Sequence, residues 1–279
     1  MKSRGTFLPK MTMKFNVNEG DFPLLVIRKR GPLNIPFIVR MAKNYEHFLY
    51  LLQKVYSKRA IERIAERTKS QSKSNFWFLY RRCVITGTLC KRVISQNLRN
   101  ESNEKLNQCI TKPYQNTFTT EAMMYGVENE KNGLELCFKA FSMTHKNAKL
   151  KSLGLVLHKK YPFIGGSVDG LLICDCCAKP YLIEVKCPFR LKDTGIENWE
   201  ILEYLDQNQK LKMSHTYYNQ INLYQGILEI DTAFFVVYAK NKILTQLINF
   251  DKNFFDNQIK NISEYYCKYY LPTVLGKKI

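Results

Sequence analysis

The spacing of apolar residues changes character several times along the 279-residue chain. From Tyr45 to Thr68, "YEHFLYLLQKVYSKRAIERIAERT" places apolar side chains three and four apart and then meets the polar break "KSQSKSN", which predicts a helix. A second helical segment is expected from about Trp77 to Ile94, followed by a polar loop over 95–118. "TTEAMMYGVENEKNGLELCFKAF" (119–141) opens on a threonine cap and predicts another helix. Short strands are expected around 162–174 and 181–187, then a helix over 214–228 and a buried strand at "TAFFVVYA" (232–239). A last helix, 253–270, carries apolar residues at Phe255, Ile259, Ile262, Tyr266 and Tyr269, read as packing surface. Residues 1–42 hold short apolar runs, "FPLLVIRKR" and "IPFIV", broken by Gly and Pro. They read as an extended or short-stranded appendage to a main domain of 43–279. Helices around a central mixed β-sheet give an α/β (α+β) class.

The informative positions are those where a polar residue interrupts an apolar pattern. In 119–141, Met123, Val127, Leu134, Cys137 and Phe141 mark one face, and the missing member of that line is Glu130. A carboxylate on a core-facing stripe is costly unless a cation or donor meets it. In 214–228, Gln220 interrupts a stripe of Tyr217, Tyr224 and Ile227 or Leu228; satisfaction by the backbone is the commoner outcome there. In "YLIEVKC" side chains alternate faces, so Glu184 and Lys186 project together while Ile183, Val185 and Cys187 point away. "CDCCAKP" supplies a turn before that strand, and pairing across it can bring Asp169 close to Glu184. Two close carboxylates repel unless a proton or cation lies between them, and their oxygens suit a hard cation, Mg2+ or Mn2+. Lys186 beside them could stabilise charge on a phosphate or hold an attacking water. Taken alone, E-x-K is common and reads more simply as a surface ion pair on an edge strand.

Composition narrows the partners. A net charge of +19, from 43 Lys+Arg against 24 Asp+Glu, favours a polyanion, nucleic acid before membrane. A solvated basic surface is the plain alternative. The first twenty residues lack the apolar core of a signal peptide, and no uninterrupted apolar run is long enough to span a bilayer. The expectation is a soluble, intracellular protein in a reducing compartment, the nucleus included, with most of its nine cysteines free. Cys174 and Cys177 form C-x-x-C, but a structural zinc wants four ligands and no second such pair exists, so the sequence argues against zinc. His145 and His158 read as ordinary polar positions; His215 reads as a channel-lining residue or a member of its helix's first turn.

"GGSVDG" (165–170) followed by "IEVKCPF" (183–189) resembles the YqaJ-type viral recombinase family, to which lambda-phage exonuclease belongs. That family sits within the restriction-endonuclease-like PD-(D/E)XK nucleases. Further signatures fall in the same order: "WFLYRRCVITGT" (77–88), "YGVENE" (125–130) and "HTYYNQINLYQ" (215–225) resemble the family's upstream segment, glutamate helix and Tyr-x-x-Gln helix. The resemblance runs from about 60 to about 240 and implies a restriction-endonuclease-like core. It implies that Asp169 and Glu184 are metal ligands, helped by the backbone carbonyl of Val185. Lys186 would be the catalytic lysine, Glu130 and Gln220 would complete the site, and Arg81, Thr88 and Ser167 would hold a DNA 5′-phosphate. The implied activity is Mg2+-dependent (or Mn2+-dependent) hydrolysis of linear double-stranded DNA from its ends, 5′→3′, in recombination or DNA processing of viral or mobile-element type. A homo-oligomer is implied by family analogy alone.

The chain departs from the family in three places: Ser-Val-Asp-Gly for Ser-Pro-Asp-Gly, Thr-Gly-Thr for Thr-Ala-Ser, and Tyr125 for Trp. None removes a metal ligand; they bear on the 5′-phosphate pocket. Two other readings stay open. One is an endonuclease or nickase on the same scaffold, which degradation of closed circles would reveal. The other is a catalytically inactive nucleic-acid-binding protein, against which the intact Asp169, Glu184 and Lys186 count.

Overall fold

A computed structural model describes residues 34–113 and 120–276. The chain divides into two units, Met1–Gly31 and Pro32–Ile279, and the described residues belong to the second. "FPLLVIRKR" lies outside the described residues. "IPFIV", expected as extended, instead opens helix α1 (Ile35–Met41): the Asn34 side chain accepts the Phe37 N–H, and Pro36 sits in the first turn, where its missing N–H does no harm.

Helices α2 (Tyr45–Val55) and α3 (Lys58–Arg67) take the place of the single helix expected over 45–68; Ser57 breaks the run and caps α3 through the Ala60 N–H. The segment expected as a helix from Trp77 to Ile94 is likewise divided. Helix α4 (Asn75–Arg81) ends before a two-residue strand, β1 (Ile85–Thr86), from which α5 (Gly87–Leu98) starts. The stretch expected as loop contains α6 (Glu104–Thr111), capped by Asn103 and anchored by buried Leu106 and Ile110. Helix α7 (Glu121–Thr144) then leads to β2 (Lys149–Lys151), β3 (Val156–Leu157), β4 (Ile164–Gly166), β5 (Gly170–Ile173) and β6 (Tyr181–Lys186). Helix α8 (Thr216–Leu228), strands β7 (Thr232–Ala239) and β8 (Lys242–Asn249), α9 (Lys252–Tyr265) and α10 (Leu271–Leu275) complete the unit. Tyr265, Tyr266 and Tyr270 at the end of this run are fully buried core, whereas Phe255 and Tyr269 are half-buried.

Two sheets result. The larger has the order β2-β5-β6-β7-β8, antiparallel except for the parallel β6–β7 pair; the smaller has the order β1-β4-β3. Strand β6 outruns β5: their last pair is Gly170↔Ile183, whereas pairing to β7 continues through Lys186↔Val237. Among the described residues, 184–186 therefore have a strand on one side only, and Asp169 stands at the other.

Alternation along β6 divides the core. Leu182, with Phe235 and Val237 of β7, packs against Ile221 and Tyr224 of α8. Ile183 and Val185, with Val236 and Tyr238, pack against Cys137 and Phe141 of α7. Helix α7 lies close because Gly133 has no side chain; a Cβ there would come within 2.6 Å of Val185 Cγ1. Its expected apolar line holds only in part. Cys137 and Phe141 are buried, but Met123 and Val127 are 58% and 72% exposed, because the 24-residue helix continues beyond the sheet it covers. Helix α8 has little amphipathic contrast because it is surrounded: Tyr218 through Gln225 are all buried.

Tyr224 is the tightest fit in this arrangement. A Cβ on Gly166 would lie 2.1 Å from its ring, and one on Gly87 2.8 Å from its hydroxyl. Gly166→Ala is expected to lower stability by roughly 1–3 kcal/mol in a urea melt, since neither the strand nor the ring can give way. No described helix is long and apolar enough to cross a membrane.

Candidate functional site

The open edge of β6 gathers the polar residues that the patterns singled out. Asp169 Oδ2 accepts the Val185 N–H at 2.7 Å. A strand residue carries its N–H and C=O toward the same edge, so the Val185 carbonyl faces this side as well. Glu184 projects from β6 onto the α8 face and is only 1% exposed. Its Oε1 accepts from Lys186 Nζ at 2.5 Å and from Gln220 Nε2, while its Oε2, also buried, has no hydrogen-bond partner among the described residues. Lys186 Nζ also lies 4.8 Å from the centroid of the Tyr217 ring. Gln220 thus turns its amide to a carboxylate rather than to the backbone. Glu130 arrives from α7, on the opposite face of the sheet, and is half-buried.

The electrostatics of this edge are unbalanced. Burial, reinforced by the Asp169 charge, pushes Glu184 up to about 8 despite Lys186. The same two causes raise Glu130 to about 7. Burial also raises Asp169, against the opposing pull of Lys186 and the Val185 N–H. Burial works against the charge of Lys186, but Glu184 and Asp169 outweigh it and hold the ammonium protonated. Three carboxylates against one ammonium would leave two negative charges in a low-dielectric edge, which one divalent cation would neutralise. The unpartnered Glu184 Oε2, the all-oxygen donor set and this surplus all fit such an ion.

The residues expected at a 5′-phosphate also come together. Strands β1 and β4 run parallel with Thr86 opposite Gly165, so Thr88 and Ser167 follow adjacent strand ends. Thr88 lies in the first turn of α5, where N–H groups favour an anion, and its hydroxyl is 2.9 Å from that of Thr86. Ser167 Oγ accepts the Trp77 Nε1–H at 2.7 Å, and the Arg81 guanidinium stacks 4.3 Å from the Trp77 ring centroid. Tyr224 links the two groups. Burial and then Glu184 raise its phenol pKa, and Arg81 opposes them. His215 takes its first-turn role: its Nδ1 accepts the Tyr217 N–H at 3.2 Å and caps α8.

Sequence reasoning missed one cluster. His145, Cys174, Cys176 and Cys177 bring their ligand atoms within 4.8 Å of one another. A structural zinc takes four ligands, and the cysteine turn supplies three of them. The fourth comes from the end of α7, set beside the cysteine turn by the β2–β5 register, a pairing that no local spacing reveals.

A mixed sheet with an acidic strand edge between two helical layers is the restriction-endonuclease-like fold, shared with solved exonucleases. The alkaline exonuclease LHK-Exo of Laribacter hongkongensis superposes with a TM-score of 0.52 at 21% identity, over 72% of this chain and 93% of that one. Its complex with dAMP gives 0.53 at 20% identity and the same coverage. The shutoff and exonuclease protein of Kaposi's sarcoma-associated herpesvirus gives 0.51 at 10% identity, over 78% of this chain and 72% of its own. No curated protein sequence matches. The chain belongs to the YqaJ-like viral recombinase domain family, whose model matches residues 76–227.

Proposed function

We propose that this protein is a divalent-metal-dependent deoxyribonuclease that degrades linear duplex DNA from its ends, 5′→3′, in recombination or DNA processing of viral or mobile-element type. The observation that carries the reading is the buried carboxylate edge of β6, with Glu184 Oε2 unpartnered among the described residues and beside Lys186. Asp169, Glu184 and the Val185 carbonyl would hold Mg2+, or Mn2+ through the same oxygens, which would supply positive charge at the phosphate and acidify the attacking water.

The chain's own groups do the rest. Gln220 fixes Glu184 by donating to Oε1, so the second oxygen stays directed into the site. Lys186, protonated and held by Glu184 and Tyr217, places a cation where charge develops on the phosphate. Glu130, poised near neutrality, can hold or release a proton at its carboxyl. Arg81, Thr88 and Ser167 would receive the terminal 5′-phosphate, a charge-assisted set of donors. The excess of basic residues would hold the DNA backbone irrespective of sequence, so binding should weaken steeply with salt.

The test uses end-labelled linear duplex, with and without a 5′-phosphate, and a closed circle, in Mg2+ and in EDTA. Linear DNA should be cut in Mg2+ alone, faster when phosphorylated, and Arg81→Ala should remove roughly tenfold of that preference, the worth of one charge-assisted hydrogen bond. Degradation of the closed circle would make the enzyme an endonuclease. Absence of Mg2+-dependent cleavage on every substrate would remove both readings.

A further inference from the structure

The cysteine turn between β5 and β6 has no part in the chemistry above, yet its side chains are the most concentrated set of soft ligands among the described residues. Cys174 directly follows β5 and is buried; Cys176 is exposed and Cys177 half-buried in the same turn. His145 caps the end of α7, its ring stacked on Phe141 with centroids 3.7 Å apart. From these observations we infer that His145, Cys174, Cys176 and Cys177 form a structural zinc site.

Four lines of geometry support it. The ligand atoms of all four residues lie within 4.8 Å of one another, and Cys174 and Cys176 Sγ are 3.4 Å apart. Tetrahedral zinc with bonds of about 2.3 Å sets its sulfurs roughly 3.8 Å apart, so closure needs only rotations of short side chains. The histidine is already oriented: Nδ1 lies 3.0 Å from the Phe141 carbonyl and 2.9 Å from the Thr144 hydroxyl. A backbone carbonyl on one imidazole nitrogen fixes the tautomer that offers the other, Nε2, to a metal.

The sulfurs have partners of their own. The Tyr181 hydroxyl donates to Cys177 Sγ at 3.5 Å, and the Lys146 N–H donates to Cys176. The two loops that carry the ligands are also laced together: Asp175 N–H donates to the Lys146 carbonyl at 3.0 Å, and Asn147 Nδ2 donates to Asp175 Oδ2 at 2.7 Å.

Three cysteines and one histidine make a closed set, which leaves no position for water or substrate and marks a structural rather than a catalytic ion. Its place in the fold gives it a task. Helix α7 carries Glu130, and the β5–β6 hairpin is flanked by Asp169 and carries Glu184. Zinc would clamp that helix to that hairpin at the far end from the carboxylates, setting the register between elements that must meet at the site.

The test is metal analysis of the full chain, purified under reducing conditions without chelator. About one zinc per chain is expected. Cys176→Ser, at an exposed position, and His145→Ala should each lose most of it, whereas Cys109→Ser and Asp169→Asn should keep it; the last separates this ion from one bound at the carboxylate edge. Co2+ loaded in place of zinc should give a thiolate charge-transfer band in the parent and a weaker one in Cys176→Ser. A zinc-selective chelator should lower the melting temperature of the parent and not that of His145→Ala. Absence of zinc from reduced protein grown with added zinc would overturn the assignment. So would zinc retained by the Cys176→Ser, His145→Ala double variant, or a disulfide within the cysteine turn of freshly isolated protein.

Discussion

Lys186→Ala should reduce cleavage of linear duplex by roughly 10²–10³-fold, the size of effect seen when one preorganised donor to developing charge is removed. DNA binding in a mobility-shift assay should change little, because the lysine is one cation among 43 Lys+Arg in the chain. The loss follows from position. Lys186 is the cation hydrogen-bonded to Glu184, only 20% exposed, and confined between that carboxylate and the Tyr217 ring. Its removal leaves Glu184 buried without its counter-charge, so the carboxyl should take up a proton at still higher pH. Lys186→Met, which retains the aliphatic stem, separates lost charge from lost packing: it should fold more stably than the alanine variant and be as inactive. A Lys186→Ala enzyme that cuts at the parental rate would show that this lysine has no part in the reaction.

Glu184→Gln should abolish cleavage and yet stabilise the metal-free protein at neutral and alkaline pH. In the folded chain Glu184 keeps its proton up to about 8 and Glu130 up to about 7, against an ordinary value of 4.5 for each. Between those limits the folded state binds more protons than the unfolded one, so stability falls as pH rises through the window and levels off above it. Glutamine cannot ionise, still accepts from Lys186 through its carbonyl, and leaves Asp169 to balance the ammonium. In EDTA at pH 8 the variant should melt on the order of 5 °C above the parent, and the difference should vanish near pH 4.5. Added Mg2+ should raise the parent's melting temperature and leave the variant's almost unchanged. A variant less stable than the parent at pH 8 in EDTA would mean that the Glu184 charge is satisfied within the protein and needs no cation.

Much of this site was legible in the sequence because its residues violate local patterns. Glu130 occupies a gap in an apolar line, and Glu184 and Lys186 share one face of a strand whose other face is apolar. What the patterns omit is tertiary. Nothing local shows that β6 outruns β5, which is why Asp169 meets the Val185 N–H at an open edge, or that Glu130 and Gln220 approach from opposite faces of the sheet. Met123 and Val127 share a helical face with Cys137 and Phe141, but periodicity cannot tell where the neighbouring sheet stops. Strand β8 escaped notice because "KILTQLIN" lies at the sheet's edge and is mostly exposed or half-buried, with Gln246 bonded to the Leu211 N–H. Helix α6 was hidden by its polar surface, and His145 by its distance in sequence from the cysteines it joins.

The central claim is that the carboxylates on this edge hold a divalent cation, and Mn2+ binding followed by the electron-paramagnetic-resonance signal of free Mn2+ addresses it directly. The parent protein should remove Mn2+ from solution, Mg2+ should compete for it, and Asp169→Asn and Glu184→Gln should each weaken binding at least tenfold, about 1.4 kcal/mol. Equal Mn2+ binding by the parent and by the Asp169→Asn, Glu184→Gln double variant would contradict the account.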